Sequence, residues 1–514
     1  MNGAESLIGS LVSSGVDVCF TNPGTSEMHF VAALDKVPEM KAVLVLFEGV
    51  ATGAADGYAR MADKPAATLL HLGPGLANGL ANLHNAKKAH SPVVNIIGDH
   101  ATYHQPFETP LASDVKAIAA PVSHWVRSSP NGAAVGHDTV EAVNAAMSNG
   151  GQIASLILPA DTAWTSASGI GTFRLAQAPA LPPDDAINTA AKMLKSGKKT
   201  AILMGGKANR AEGKEAASRI AEKSDCLVFA DTFNARMENG AGRHHIARMP
   251  YFAEQIVASL EGVEQIILAG SQTPVSFFAY PDLPNYLVPE GCSVHVLASP
   301  NEDGVGALEV LADAIDAPPS IVEISELKLP ELKSGDANAL AVWAAIANFM
   351  PENAIIVDEA ATSGAPSEAI LATAPAHDLL QLTGGSIGMG LPVSLGAAMA
   401  CPDRKIVCAH GDGGAMYTAQ ALWSQAREDC DVVNIIFNNR KYQILEIEIM
   451  RVGAAEVGPQ ALDMFDLSRP EIDWIKLSES MGVQALRAQS AEEINRAVEQ
   501  CMQSKGPHLI EVII

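Results

Sequence analysis

This 514-residue sequence has few basic residues, few aromatic residues and no long apolar run, and these shortages exclude whole classes of protein. Its 34 Lys and Arg residues are outnumbered by 58 Asp and Glu residues, so the net charge is −24. This balance argues against nucleic acid as a partner, because binding to phosphate backbones requires a basic surface. No segment has the roughly 18 uninterrupted apolar residues of a membrane span, so we expect no insertion into a membrane. The start of the chain lacks the basic region and cleavage site of a signal peptide, which predicts a cytoplasmic protein.

Cysteine is also scarce. The seven cysteines are scattered without a Cys-x-x-Cys spacing, and several lie in apolar, strand-like runs. Zinc sites and disulfide-rich folds need closely spaced or paired cysteines. We therefore expect reduced, buried thiols.

The sequence does have apolar strand-like runs that alternate with helical patterns along its whole length. Such alternation is typical of parallel sheets flanked by helices, and a chain of this length with 48% hydrophobic residues suffices for about three domains. Residues 166–185 and 317–338 are rich in Pro, Ser and Gly and are interpreted as linkers. We predict an α/β protein with domains at 1–165, 186–316 and 339–514, each built on a mainly parallel sheet.

The most informative stretch runs from Lys405 to Tyr442 and has the pattern of a strand, a glycine turn, a helix and a second strand. Asp412 ends the first strand and Asn439 follows the second, 27 residues later. Because a βαβ unit sets its two strands parallel, these oxygen-bearing side chains can converge above one sheet edge, where they suit Mg²⁺. The glycines around Asp412 permit the close backbone approach that a diphosphate needs. Taken separately, each motif is also typical of an ordinary turn.

The Gly-Asp-Gly motif followed by Asn-Asn at this interval resembles the thiamine diphosphate (ThDP) binding motif. The surrounding chain resembles the family of acetohydroxyacid (acetolactate) synthase, benzoylformate decarboxylase and pyruvate decarboxylase, strongly in the first 165 and last 175 residues and weakly between them. This resemblance implies the ThDP-binding fold, with ThDP and Mg²⁺ as cofactors. It assigns the metal to Asp412, Asn439 and the carbonyl of Lys441, and it places Ile387 as a wedge under the thiazolium ring. The full set of residues assigned to cofactor binding is Thr25, Thr362, Gly385, Ile387, Gly411, Gly413, Gly414 and Tyr417.

Two candidate catalytic residues lie in the first domain. Glu48 follows an apolar strand and precedes a helix rich in Gly and Ala, where a glutamate alone is also interpreted as complementing the helix dipole. The resemblance implies that its carboxyl group bonds to the cofactor pyrimidine and so promotes loss of the thiazolium C2 proton. His71 precedes a Leu-Gly-Pro-Gly loop, where benzoylformate decarboxylase-like enzymes have an active-site histidine, and it either is structural or acts in proton transfer or carboxylate binding. Thr25 is predicted to cap the helix after the first strand, and His100 and His104 follow another strand that would border the same cleft.

The sequence departs from better-known relatives at three points. The middle domain has no dinucleotide or P-loop fingerprint, so we expect a flavin site to be absent or degenerate. The segment from Phe277 to Tyr280 stands where benzoylformate decarboxylase has a second catalytic histidine. Leu445 stands where pyruvate decarboxylase has a glutamate, and Glu446, one helical position on, is expected to point elsewhere.

These departures favour one function and leave two alternatives. We expect decarboxylation of a 2-oxo acid with transfer of the acyl unit to an acceptor carbonyl, as in an acetolactate synthase-like enzyme without FAD. The first alternative is a benzoylformate-type decarboxylase that uses His71 alone, and the second is a catalytically silent scaffold of the same fold. The resemblance also implies a homodimer or homotetramer whose active sites lie at subunit interfaces.

Overall fold

The computed structural model describes four stretches of the chain: 1–172, 178–319, 324–454 and 456–514. Residues 173–177 of the first predicted linker and 320–323 of the second lie outside the described residues. The described residues form three sheets, each mainly parallel and flanked by helices. The predicted α/β fold is therefore confirmed.

The first sheet comes from the N-terminal part of the chain. Its strands are β1 (Val18–Thr21), β2 (Lys41–Leu44), β3 (Ala66–Leu70), β4 (Val93–Asp99), β5 (Trp125–Ser128) and β6 (Ile153–Pro159). Its helices are α1 (Gly3–Ser13), α2 (Met28–Ala33), α3 (Glu48–Ala62), α4 (Leu72–Lys88), α5 (Val115–Ala119), α6 (Val135–Met147) and α7 (Ala160–Trp164). All six strands are parallel, in the order β2-β1-β3-β4-β6-β5. The central strands β3 and β6 are buried along their whole length, as expected for apolar runs that helices cover on both faces.

The second sheet has four parallel strands in the middle of the chain. The strands of this region are β7 (Thr200–Met204), β8 (Leu227–Ala230), β9 (Met237–Asn239), β10 (Gln265–Ala269) and β11 (Ser293–Ala298). The helices are α8 (Asp184–Leu194), α9 (Ala211–Ser224), α10 (Ala253–Ser259) and α11 (Gly304–Ala314). The sheet order is β11-β10-β7-β8, so β9 belongs elsewhere.

The third sheet has seven strands in the order β16-β17-β15-β14-β12-β13-β9. Its C-terminal strands are β12 (Ala354–Glu359), β13 (His377–Gln381), β14 (Ile406–Gly411), β15 (Val432–Asn438), β16 (Gln484–Ala488) and β17 (His508–Ile513). The helices are α12 (Ala339–Phe349), α13 (Ser367–Leu371), α14 (Gly390–Ala400), α15 (Asp412–Ala415), α16 (Ala421–Arg427), α17 (Gln443–Arg451), α18 (Pro459–Leu462), α19 (Trp474–Ser480) and α20 (Ala491–Gln503). The middle region contributes β9, which pairs antiparallel with β13 at the sheet edge.

Helices α3 and α14 join the first sheet to the third within one chain. A Cβ atom on Gly53 would stand 2.7 Å from the Pro392 side chain, and one on Gly57 or Gly396 would overlap backbone atoms of the facing helix. The Gly- and Ala-rich sequence after Glu48 predicted such close packing. One apolar core consequently extends across the first and third sheets.

Two local predictions were wrong. The Leu-Gly-Pro-Gly segment after His71 is the first turn of α4 and not a loop. The helix predicted after Asp412 is interrupted between α15 and α16. Thr418 lies in the interruption and donates its hydroxyl to the Gly388 carbonyl at 2.7 Å, which ties this turn to a neighbouring loop.

The structure also bears on the cysteines and on membrane insertion. All seven cysteines are free, as predicted, and burial raises the pKa of the Cys226 thiol to about 11. Among the helices that the structure describes, none has the length and apolar character to cross a membrane.

Candidate active site

The ends of β14 and β15 bring Asp412 and Asn439 to one edge of the third sheet. The register pairs Gly411 with Phe437, so Asp412 stands where β14 gives way to α15 and Asn439 lies one residue beyond β15. Both strands are parallel, and their carboxyl ends therefore face the same crevice. The convergence predicted from the 27-residue spacing follows from this register.

Asp412 is a buried carboxylate without a positively charged partner. It is 4% exposed, and its two oxygens accept the N–H groups of Gly413 at 2.8 Å and Arg440 at 2.9 Å. Burial raises the pKa of the Asp412 carboxyl group, and these two hydrogen bonds oppose the rise. The side chains of Arg440 and Lys441 pair with other acids at 2.7 and 2.8 Å. Within the described part of the chain, Asp412 therefore has no counter-cation.

Gln443, which the sequence analysis overlooked, orients two of the predicted residues. Its Oε1 accepts hydrogen bonds from Thr362 Oγ1 at 3.1 Å and from Asn439 Nδ2 at 3.2 Å. The Asn439 amide oxygen then accepts the N–H of Lys441 at 3.1 Å. Asn438 donates instead to a buried glutamate at 2.7 Å, so its role is structural. The only sequence signal for Gln443 is its position one turn after the Asn-Asn pair.

The oxygen atoms at this edge fit Mg²⁺ bound together with a diphosphate. One carboxylate, one amide oxygen and one main-chain carbonyl are hard ligands that leave positions for phosphate oxygens and water. No group of three or more His, Cys, Asp or Glu side chains that could hold a metal occurs among the described residues, so this site is not an all-side-chain cage. A Cβ on Gly411 would meet no atom within 4 Å, which leaves open space beside Asp412.

The other residues predicted to face the diphosphate surround the same turn. The ring of Tyr442 covers the position where a Cβ on Gly413 would stand, and a Cβ on Gly414 would lie 2.9 Å from His410 Cε1. Tyr417 is 53% exposed at the surface of this edge. Gly413 and Gly414 therefore pack against large side chains, and the open crevice lies beside them.

The loop with Gly385 and Ile387 is held from the first domain by α4. Asn85 brackets the residue between them with two hydrogen bonds, donating to its carbonyl at 2.7 Å and accepting its N–H at 3.2 Å. Asn82 donates to the Gly388 carbonyl at 3.4 Å and to a carbonyl in the first turn of α3 at 2.8 Å. The start of α3 and the glycine loop are therefore linked through one asparagine.

Glu359, at the end of β12, supports the same loop and was also missed. Its carboxylate accepts the N–H groups of Gly388, Met389 and Gly390 at 2.5, 2.8 and 2.6 Å. His410 Nε2 lies 3.1 Å from the carboxylate. Glu359 thus satisfies the free N–H groups at the start of α14, where an external anion would otherwise fit.

Glu48 and His71 lie together at the carboxyl edge of the first sheet. Glu48 is the first residue of α3 and is 7% exposed, and its Oε2 accepts a hydrogen bond from Asn78 Nδ2 at 2.9 Å. His71 immediately precedes α4. A Cβ on Gly75 would stand 3.1 Å from Glu48 Oε1 and 3.3 Å from His71 Cβ, so both side chains flank the same helical turn.

His71 has an acidic partner that the sequence analysis did not identify. Its Nδ1 lies 2.7 Å from Glu27 Oε2. The same carboxylate oxygen accepts the N–H of Gly24 at 2.8 Å, and Gly24 occupies the N-cap position predicted for Thr25. That prediction was wrong because the capping contact comes from the Glu27 side chain, while Thr25 is exposed.

An aromatic cluster from the middle region contacts the glycine loop. The ring of Phe277 lies 5.4 Å from that of Tyr251 and 6.0 Å from that of Phe233, and its Cζ would stand 2.6 Å from a Cβ on Gly385. The hydroxyl of Tyr280 donates to Glu448 of α17 at 2.8 Å. The predicted Phe277–Tyr280 segment therefore borders the loop that carries Ile387.

The predicted residues thus form two groups. Glu48 and His71 lie at the carboxyl edge of the first sheet. Asp412, Asn439 and Lys441, which together form the predicted metal loop, lie at the carboxyl edge of the third sheet. Among the described residues, the hydrogen bonds of the Glu48 and His71 side chains go to Asn78 and Glu27 and do not reach the metal loop. Among the described residues of one chain, no direct side-chain hydrogen bond from Glu48 or His71 therefore joins the two groups.

Comparisons with known proteins identify the family of the chain. Residues 1–118 match the thiamine pyrophosphate enzyme N-terminal TPP binding domain, and residues 367–512 match the C-terminal TPP binding domain. The protein named "Putative acetolactate synthase large subunit IlvX" from Mycobacterium tuberculosis is 51% identical over 100% of this chain and 99% of its own length. Benzoylformate decarboxylase from Pseudomonas aeruginosa is 28% identical over 97% of this chain and 96% of its own.

A solved structure shares the whole fold. The thiamine diphosphate-dependent 4-hydroxybenzoylformate decarboxylase of Rhodococcus jostii superposes with a TM-score of 0.87 at 23% identity, covering 100% of this chain and 99% of that one. With both binding domains matched and a 51% identical relative spanning the full length, the chain belongs to the thiamine pyrophosphate enzyme family and is a ThDP-dependent enzyme.

Proposed function

We propose that this protein decarboxylates a 2-oxo acid with ThDP and Mg²⁺ and transfers the resulting acyl unit to an acceptor carbonyl, as an acetolactate synthase-like carboligase. The observation that carries the metal part is the buried carboxylate of Asp412, which forms no ion pair among the described residues and accepts the N–H of Arg440, the residue between Asn439 and Lys441. A buried carboxylate without a cation is costly, and a divalent ion at this edge would offset that cost. The 51% identical relative, named as an acetolactate synthase large subunit, supports the transfer reaction.

The chain's own residues have distinct tasks in this proposal. When bound, ThDP supplies the nucleophilic carbon and the electron sink that decarboxylation needs. Asp412, Asn439 and the Lys441 carbonyl hold the metal, and Ile387 supports the cofactor from the loop that Asn85 and Glu359 fix. Glu48 faces the pyrimidine, and the hydrogen bond from Asn78 orients its buried carboxyl group there.

A benzoylformate-type decarboxylase is the second candidate. The observation that favours it is the position of His71 beside Glu48, with a carboxylate on its Nδ1. Such an imidazole could hold a proton near the reacting carbon, which a reaction that ends in a free aldehyde would require. Phe277 and Tyr251 provide apolar surface for an aromatic substrate.

We further propose a homodimer or homotetramer with active sites between subunits. Glu48 makes no side-chain bond to its own metal loop in the described residues, so a neighbouring chain is the natural source of the complementary half. Apolar side chains near both halves are exposed in the single chain, including Leu46 at 48% and Met416 at 40%. Burial in a subunit interface would explain this exposure.

We propose that the middle region binds no flavin. Asp231, which follows β8, would have an oxygen 2.5 Å from a Cβ on Gly205, at the glycine turn after β7. A dinucleotide would place its phosphates at such a turn, where the Asp231 carboxyl group occupies the space beside Gly205. Visible absorbance from a bound flavin in the purified protein would overturn this assignment.

One pair of measurements tests the central proposal. Calorimetric titration of ThDP with and without Mg²⁺ should give tight binding only with the metal, and Asp412→Asn should abolish that dependence. Asp403→Asn, an exposed acid at the opposite end of β14, is the matched control and should bind normally.

A substrate screen then separates the two reactions. Pyruvate, 2-oxobutyrate and benzoylformate are supplied with and without acetaldehyde or benzaldehyde, and both carbon dioxide and organic products are analysed. Carbon dioxide with a ligated hydroxyketone or acetohydroxy acid supports the carboligase, and carbon dioxide with a free aldehyde supports the decarboxylase. Metal-dependent cofactor binding without turnover of any 2-oxo acid contradicts both.

A further inference from the structure

Glu27 is a fully buried carboxylate that makes its side-chain contact with His71. The Glu27 side chain is 1% exposed and that of His71 is 24% exposed, so the pair runs from the protein interior to the surface of the crevice. Oε2 of Glu27 faces His71 Nδ1 at 2.7 Å, while its Oε1 is buried without a hydrogen-bond partner among the described residues. Burial raises the pKa of the Glu27 carboxyl group, and the neighbouring imidazole opposes the rise.

Two glycines, one in a loop and one near the end of a strand, leave the space that this pair occupies. A Cβ on Gly24 would overlap the His71 imidazole, and a Cβ on Gly98 at the end of β4 would overlap Glu27 Oε1. The carboxylate is therefore confined between the ends of β1, β3 and β4. A confined carboxylate fixes both the ring orientation and the tautomer of the histidine that it contacts.

We infer that Glu27 is the positioning residue for His71, holding Nδ1 toward the interior and leaving Nε2 to give or take a proton in the crevice. This inference rests on the proposed function for what the proton serves, but the pairing itself does not. His71 Nε2 has no partner among the hydrogen bonds of the described residues.

Two other acids in the described part of the chain lie on elements packed against β3 and α4, which flank this histidine. Glu48, from the start of α3, lies across Gly75 from it, and α4 has no acidic residue in its first turn. Asp99, the other acid at the end of β4, is bonded to the His100 N–H at 2.7 Å and to a glutamine side chain. Removal of the Glu27 charge should therefore change the protonation behaviour of His71 measurably.

The test measures how the acylation rate of the His71 side chain depends on pH in the full-length, ThDP-loaded protein. Diethyl pyrocarbonate acylates neutral imidazole, and peptide mass spectrometry gives the acylation rate of His71 at each pH. The variant Glu27→Gln keeps a hydrogen-bond acceptor but loses the negative charge. The pH at which the acylation rate of His71 is half-maximal should therefore fall by about one unit, as expected when an opposite charge in contact is lost. With benzoylformate as the probe substrate, kcat should fall about tenfold or more while KM stays within about twofold, as for a lost proton-transfer contribution.

Two further variants make the test specific. Glu5→Gln is the matched control, because Glu5 occupies the same capping-box position at the start of α1 but lies far from His71 in an exposed pair with Lys36. Gly98→Ala keeps every charge and displaces the Glu27 carboxylate, so it should shift the acylation profile in the same direction and serves if Glu27→Gln does not fold. Superimposable profiles for wild type, Glu27→Gln and Gly98→Ala would overturn the assignment. Absence of turnover in the wild type would count against the proposed function alone, since the acylation profile still decides the role of Glu27.

Discussion

Arg60 offers a direct test of how the first domain holds the cofactor loop. Its guanidinium donates to both oxygens of Asp56, at 2.8 and 2.6 Å, and also to the Gln381 carbonyl at 2.8 Å and Thr383 Oγ1 at 3.2 Å. The side chains of Arg60 and Asp56 are 1% and 0% exposed. Gln381 ends β13, and Thr383 stands two residues before Gly385, so the pair connects α3 to the loop that carries Ile387.

Arg60→Met removes the cation and leaves a buried carboxylate behind. Breaking one partner of a buried ion pair costs about 3–5 kcal/mol, and loss of the Gln381 bond adds about 1 kcal/mol. The double variant Arg60→Met/Asp56→Leu removes the stranded charge as well and should recover at least about 2 kcal/mol of that loss. Because a chain with three sheets is not expected to unfold in two states, the apparent melting temperature is the practical measure.

The assay compares melting and cofactor affinity across four proteins. If a region of about 165 residues unfolds as a unit, Arg60→Met should melt roughly 8–24 °C lower, and the double variant should lie between it and the wild type. The affinity for ThDP should fall in the single variant, because the strand leading to Gly385 loses its anchor. Lys64→Met, which breaks a pair with Asp17 at 2.7 Å whose side chains are 36% and 48% exposed, is the control and should cost under about 1 kcal/mol. A double variant that melts below Arg60→Met, or a single variant indistinguishable from the Lys64 control, would refute this reasoning.

Three other variants give separable outcomes. Glu48→Gln should retain ThDP binding but lose hydrogen–deuterium exchange at the cofactor C2 carbon, measured by NMR; unchanged exchange would remove Glu48 from proton transfer. Gln443→Leu leaves Thr362 and Asn439 without their shared acceptor, so Mg²⁺ titration should show about tenfold weaker binding, and unchanged affinity would contradict this orienting role. Burial raises the pKa of Asp231 to about 7, so the folded protein keeps a proton that the unfolded chain has released, and stability falls as the pH rises from about 4 to 7. Between pH 5 and 8, Asp231→Asn should therefore become increasingly more stable than the wild type, by up to about 4 kcal/mol, and its melting temperature should rise accordingly. A stability difference that does not depend on pH would refute the assignment.

The sequence predicted those parts of the site that local patterns determine. The spacing from Asp412 to Asn439 is set by one βαβ unit, and the apolar run before Glu48 ends in a helix start; both patterns span few residues. Short apolar runs likewise predicted the mainly parallel sheet of the middle region. Local chemistry suffices where one element and the next turn fix the position of a side chain.

The missed residues depend on contacts between distant segments. Glu27 lies 44 positions from His71, and Asn85 lies 301 positions from the loop residue that it brackets. Neither pairing leaves a periodic signal, because a capping glutamate and a helical asparagine are ordinary in isolation. The three-residue strand β9 was missed for a related reason, since its pairing with β13 is decided by the third sheet and not by its own sequence.

Backbone strain shows which of these contacts shape the site. Eleven non-glycine residues among those described have positive φ, and seven of them are Asn or Asp, which tolerate that conformation. Three of the other four adjoin candidate site residues: Leu72 after His71, Ala361 before Thr362 and Arg440 after Asn439. Each costs about 1–2 kcal/mol relative to an ordinary conformation, and a glycine at the same position would avoid that cost. The surrounding fold holds them in place, as the bond from the Arg440 N–H to Asp412 illustrates. Strain retained beside a histidine, a threonine and an asparagine from different loops indicates that the fold, and not local conformational preference, orients these side chains.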